Sequence, residues 1–197
     1  MKIDFHVHAS ERSACGQAGE VEQVKAAVAA GLDAIVFTDH GKLVPAMRLN
    51  QLNQQFAPFR VFGGIEISLE EDFLVIGLQD RELETAQWTY PELHAYTRQY
   101  GGYLILAHPY RYHPEIYVDI EQFRPDGIEV YSVNTPTSWQ ARIRELSLKH
   151  QIHLFSNSDA HKTSSFGLFY NEIPGYPDSD WELVQALMRG TINTIPK

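Results

Sequence analysis

The chain has 197 residues, 44% hydrophobic and 21% charged, a length that can bury one core unaided and a balance that excludes disordered and membrane-embedded classes. A formal net charge of −9 speaks against a partner gripped through a long phosphate backbone, since duplex binders present a basic face that releases counterions; metal-holding carboxylates would account for part of that charge. Cys15, the one cysteine, excludes an internal disulfide, and no run approaches the ~20 apolar residues of a membrane span. The opening MKIDFHVHAS lacks the apolar stretch of a secretory signal, so a cytoplasmic location and no membrane partner are expected.

In chain order, apolar runs of strand length occur at 3–7, 34–38, 61–67, 103–107, 127–131 and 152–155, most of them closing on polar residues able to bind metal. Segments 20–30, 44–55, 91–100 and 138–150 carry apolar residues at three- and four-residue spacing and are expected to be helices. Gly31 suits a helix end, Pro91 a first helical turn, and Gly101-Gly102 an exit toward the next strand. Residues 72–78 (DFLVIGL) read as an extra strand pairing antiparallel with 63–68. Alternating strands and helices imply parallel strands joined by right-handed crossovers, with function at the strands' carboxyl ends. Six or seven βα repeats fit the length, whereas a complete eightfold barrel takes ~250 residues. The expected fold class is therefore α/β, a distorted, incomplete barrel forming one domain over residues 1–197, with 174–180 as a surface loop before a last helix.

The chemistry gathers at the strand ends. His6-Val7-His8 closes the first strand, and because side chains alternate, both imidazoles point to one side and converge on one ion. Thr38-Asp39-His40, Gly64-Ile65-Glu66, Ala107-His108-Pro109 and Ser158-Asp159-Ala160-His161 close later strands. Five of the nine histidines fall at these ends with Glu66 and Asp159, more donors than one mononuclear site uses. Glu66 is the expected bridge, since one carboxylate can span two ions ~3.5–4 Å apart. Arg111 follows His108 closely enough to meet a substrate phosphate with two parallel hydrogen bonds. Glu129 is expected to orient a histidine rather than touch a metal, and Asp4 and Asp39, turned away by alternation, to make structural hydrogen bonds.

Taken together and in this order, these motifs, with Gly127-Ile128-Glu129-Val130, resemble those of the polymerase and histidinol phosphatase (PHP) superfamily over roughly residues 1–165. The resemblance implies a distorted (β/α)7 barrel and a trinuclear metal site for phosphoester hydrolysis. It further implies one ion on His6, His8, Glu66 and Asp159, a second on His40 and His161, and a third on Glu66 and His108. Two departures stand out. The family usually supplies an acidic residue or histidine shortly after His-x-His, where this chain has Ser10-Glu11-Arg12-Ser13-Ala14-Cys15, with Glu11 the nearest candidate. Many members carry a histidine where this chain has Leu74, and Asp72, on the same strand face, is the candidate substitute.

The expected function is a metal-dependent phosphoesterase that hydrolyses a small phosphate mono- or diester with a hydroxide held between two ions. Arg111 would stabilise the developing charge, and His161 is placed among the catalytic residues, as a protonated histidine can assist the leaving alcohol. Two or three divalent ions, zinc, manganese or iron, are the expected cofactors. The partner is a small phosphorylated substrate, not a long nucleic acid. The alternatives are a catalytically weakened metal-binding or regulatory domain of the same type and an amidohydrolase-like C–N hydrolase. Substrate identity and oligomeric state are left open by the sequence.

Overall fold

Strands β1 (Lys2–Val7), β2 (Ala34–Phe37) and β3 (Arg60–Ser68) run parallel and adjacent in the computed structural model, which describes residues 1–196. Lys197, the end of the expected single domain, lies outside the described residues. β4 (Asp72–Ile76) then turns back antiparallel to β3, as its place after a short hairpin requires. β5 (Tyr103–Leu106), β6 (Gly127–Tyr131) and β7 (His153–Ser156) resume the first direction. Helices α1 (Glu20–Ala29), α2 (Ala46–Phe56), α3 (Glu82–Thr85), α4 (Tyr90–Gln99), α5 (Gln140–His150) and α6 (Asp180–Arg189) occupy the connections. Their ends follow local chemistry. Thr89 N donates to Glu92 Oε2 at 2.9 Å to open α4, and Ser179 Oγ accepts from Glu182 N at 3.2 Å to open α6.

Two strands were not expected from the sequence: β8 (Phe169–Glu172), antiparallel to β1, and β9 (Asn193–Pro196), antiparallel to β8. Neither shows apolar alternation, because β9 ends the sheet and only one residue of β8, Asn171, is fully buried. The sheet of nine strands, ordered β7-β6-β5-β4-β3-β2-β1-β8-β9, curls into a nearly closed barrel. At one end, the segment after β7 pairs directly with β1: His8 N donates to Ala160 O and Ala160 N to His6 O, both at 3.0 Å. Lower down, Asn171 spans the gap, accepting from Ser156 N at 2.9 Å and donating to Ser156 O at 2.8 Å.

The interior is apolar below and polar above. Glu129 sits opposite Phe155, and Glu66 opposite Leu74, in the strand register, so these cross-strand partners share the inner face. Ile3, Phe5, Leu74, Ile76, Ile105 and Phe155 fill that lower interior, and Leu183, Val184 and Leu187 of α6 pack onto the same core. β2 (AIVF) and β5 (YLIL) are buried throughout, as strands covered on both faces must be. The carboxyl ends of the six like-directed strands thus meet at one mouth.

Candidate metal centre

A register shift between Asp4 and Val7 kinks the end of β1, and His6 and His8 emerge fully buried at the mouth. Glu66, from the end of β3, lies among four imidazoles. Its Oε2 is 3.4 Å from His6 Nε2, 3.3 Å from His8 Nε2 and 2.8 Å from His40 Nδ1, and its Oε1 is 3.2 Å from His108 Nε2. Asp159 Oδ1 lies 3.4 Å from His6 Nε2, 3.1 Å from His8 Nε2 and 3.4 Å from His161 Nδ1. Asp72 Oδ2 is 3.8 Å from His108 Nε2. The donors form overlapping sets, His8/His40/His161, His6/His8/Glu66, His6/His108/Asp159 and Glu66/Asp72/His108, with ligand atoms within 4.8 Å of one another in each.

The electrostatics match this crowding. Burial alone would depress His6, yet Asp159, Glu129 and Glu66 hold it well above its ordinary value. Burial would raise Glu66, but His6, His108 and His40 keep its carboxyl well below the usual range, and Asp159 is lowered in the same way. Burial depresses His8, whereas the neighbouring Glu66 carboxylate raises His40. Two donor-bearing turns are also strained: His108 has φ 25° and Asp159 φ 50°, a region that side chains with a Cβ seldom adopt and that costs on the order of 1–3 kcal/mol per residue.

These residues fit a divalent ion. His6 Nε2 and Glu66 Oε2 are buried without a hydrogen-bond partner among the described residues, which is costly unless a cation takes their lone pairs. A set of imidazole nitrogens and carboxylate oxygens is the donor chemistry of zinc, manganese and iron sites.

The structure brings together His6, His8, His40, Glu66, Asp72, His108, Asp159 and His161, but not Glu11. Both Glu11 oxygens instead accept from Glu20 N at 3.1 Å, so the carboxylate caps the first turn of α1, where orphan N–H groups and the helix dipole draw an anion. Cys15 is exposed and belongs to none of the donor sets among the described residues. Arg111 reaches the cluster edge, with Nη1 3.6 Å from Asp159 Oδ2 and 3.5 Å from His108 Nε2, and its guanidinium rests over the Tyr112 ring at 5.0 Å.

The supporting residues lie behind the ligands. Glu129 accepts from His6 Nδ1 at 3.0 Å, from His108 N at 2.7 Å and from Asn157 Nδ2 at 2.7 Å. Asp4 accepts from His6 N at 3.2 Å and Ser158 N at 3.1 Å, and burial pushes its carboxyl up to about 7. Sequence reasoning missed Ser13, Asn134 and Asn157. Asn134 Nδ2 donates to Asp159 Oδ2, and Ser13 contacts His8 Nδ1 at 3.3 Å. The polar run Ser156-Asn157-Ser158 at the close of an apolar strand is the signal that marks Asn157; for Ser13 and Asn134, loop residues, the sequence carries none.

A protein-family model described as a family of unknown function (DUF6282) matches residues 2–69. No curated protein matches the chain. Among solved structures it is similar to a two-domain protein from Bacteroides vulgatus containing a predicted PHP-like metal-dependent phosphoesterase, with TM-score 0.68 and 18% identity. That match covers 98% of this chain and 64% of the other, so this chain spans less than two thirds of that protein. An amidohydrolase from Chromobacterium violaceum, with bound sulfate and no metal, is similar at TM-score 0.68 and 14% identity over 100% of this chain and 98% of that one. A lesion-specific endonuclease from Pyrococcus furiosus is similar at TM-score 0.67 and 15% identity over 98% of this chain and 57% of that one. At such identities the likeness is one of fold: a mixed α/β chain with a nearly closed barrel-like sheet, similar to PHP-like and amidohydrolase barrels.

Proposed function

We propose that this chain is a metal-dependent phosphoesterase that hydrolyses a small phosphate mono- or diester. The observation that carries the reading is the convergence of five imidazoles with the three carboxylates Glu66, Asp72 and Asp159, with His6 Nε2 and Glu66 Oε2 buried and without a hydrogen-bond partner among the described residues. His6, His8, Glu66 and Asp159 would hold one divalent ion, His40 and His161 a second, and Glu66, His108 and Asp72 a third. Two or three bound ions of zinc, manganese or iron would supply Lewis-acid charge and an activated water.

The chain's own side chains supply the rest. Arg111, half-buried at the cluster edge, offers a fork of N–H donors that matches a phosphate and stabilises charge developing on it. Nδ1 of His161 donates to Asp159 O at 2.9 Å, which leaves Nε2 for an ion or for the proton destined to the leaving alcohol, one role excluding the other at a given moment. Glu129 orients His6, and Asn134 holds Asp159. A reducing, cytoplasmic setting and a small phosphorylated partner go with this reading; no helix among the described residues is long and apolar enough to cross a membrane.

The distance of Glu11 from the cluster favours a second reading, a metal-binding domain weakened in catalysis, and the amidohydrolase likeness a C–N hydrolase. Protein purified without chelator should contain two or three ions per chain and hydrolyse p-nitrophenyl phosphate or its diester, with activity lost to chelator and restored by metal. Metal-loaded protein that leaves both esters intact rules the phosphoesterase out, and turnover of an amide in its place selects the C–N reading.

A further inference from the structure

The ring of His8 is engaged on both sides. Its Nε2 faces Glu66 Oε2 at 3.3 Å and Asp159 Oδ1 at 3.1 Å, and its Nδ1 lies 3.3 Å from Ser13 Oγ. The Ser13 hydroxyl has a single proton, and its shortest contact is to Asp39 Oδ1 at 2.7 Å. Its lone pairs are then left for donors; one takes His40 N at 3.2 Å, and the other faces His8 Nδ1.

Asp39 is held as an acceptor from every side. Ala9 N donates to Oδ1 at 2.7 Å and Arg12 Nε to Oδ2 at 2.7 Å. Arg12 is anchored in turn by Glu20, a carboxylate only 2% exposed that also receives Arg48. With a guanidinium and an amide already donating to it, Asp39 draws the Ser13 proton, so the hydroxyl can only accept from His8.

We propose that Ser13, braced by Asp39, is a positioning residue that fixes His8 as its Nδ1–H tautomer and leaves Nε2 with a bare lone pair directed at a cation between Glu66 and Asp159. Without a cation, Nε2 shares a proton with Asp159 Oδ1 at 3.1 Å; a cation between the two carboxylates would take the place of that proton. Position 13 thus serves the centre by orienting a ligand, in a stretch where an acidic ligand was expected. The inference rests on the metal-centre reading for the cation that Nε2 would meet; the proton on Nδ1 follows from the donors and acceptors around Ser13 alone.

Two measurements decide it. Long-range proton–nitrogen spectra of metal-free, nitrogen-15-labelled protein, with the His8 signal identified by its loss in His8→Gln, report the tautomer directly. Wild type should show a proton on Nδ1, and Ser13→Ala should shift His8 toward the form with Nδ1 bare and only Nε2 protonated, donating to Asp159. Cobalt(II) titration, followed by visible absorption, should weaken roughly 10- to 100-fold in one binding step for Ser13→Ala, with Ser13→Thr, which keeps the hydroxyl, restoring it. A His8 with Nδ1 bare in wild type overturns the proposal whether or not any variant folds, and so does unchanged cobalt affinity in folded Ser13→Ala. If wild type takes up no cobalt, the metal-centre reading fails instead, and the tautomer spectrum still decides the role of Ser13.

Discussion

Within one barrel interior, residues paired across neighbouring strands live under opposite physical terms. On β3 and β4, Glu66 faces the mouth while its register partner Leu74 belongs to the floor, and on β6 and β7 Glu129 and Phe155 stand in the same relation. The floor, from Ile3 and Phe5 to Leu187, gains from every apolar area it removes from water. The mouth buries His6, His8, Glu66, Glu129 and Asp159 at 0–2% exposure, and ions stripped of hydration are tolerated only because each faces another. Compensation at the mouth is incomplete, since two of its atoms lack hydrogen-bond partners among the described residues, whereas the floor holds no such debt. Stability is thus concentrated below and binding capacity above.

That division can be broken by paired substitutions. Glu66→Gln should lower metal content and reduce turnover by more than the 10- to 100-fold typical of residues that only support a ligand, because Glu66 belongs to two donor sets. Phe155→Ala should instead cost about 3–5 kcal/mol of stability in a denaturant melt while the folded fraction keeps its metal. Full metal stoichiometry in the first variant, or metal loss from folded protein in the second, would erase the distinction between mouth and floor.

A subtler effect lies in pH. His6 is held above its ordinary 6.5, so the stability it contributes is complete below 6.5 and lost as pH rises through the folded value. Glu66 and Asp159 are lowered, so theirs is present above the ordinary 4.5 and 3.8 and lost as pH falls. Metal-free protein should therefore be most stable in weakly acidic solution and lose on the order of 1.4 kcal/mol per pH unit as His6 deprotonates. A bound cation requires the neutral imidazole, so the gap in Tm between loaded and metal-free protein should widen from pH 6 to pH 8. A gap that narrows over that range would show that His6 is not a ligand. The smallest effect is expected at Glu11. Glu11→Ala removes a helix cap, costs about 1 kcal/mol or less, and leaves the metal content unchanged; a drop in metal would return Glu11 to the ligand set.

Much of this centre was legible beforehand because strands have a period of two and barrels present their strand ends at one rim. His6 and His8 needed only alternation, and Glu66, His108 and Asp159 needed only a place at the close of an apolar run. Glu11 shows where that reasoning stops. It lies nearer to His8 in sequence than Ser13 does, but no periodicity governs a turn, and the chain swings it to the start of α1. Strands β8 and β9 escaped notice because strands with so few buried residues carry no apolar alternation to detect.

The order of strands, their apolar interiors and the donors at their ends follow from the residues themselves, since alternation and burial are local consequences of covalent geometry. Which donors share an ion, and which residues stand behind them, depended on the closure of the barrel. Ala160 pairing with β1 carries Asp159 and His161 to His6 and His8, and the fold of the 9–19 turn sets Ser13 beside His8. Contacts across more than 100 residues are decided by packing and loop closure, which no local pattern encodes.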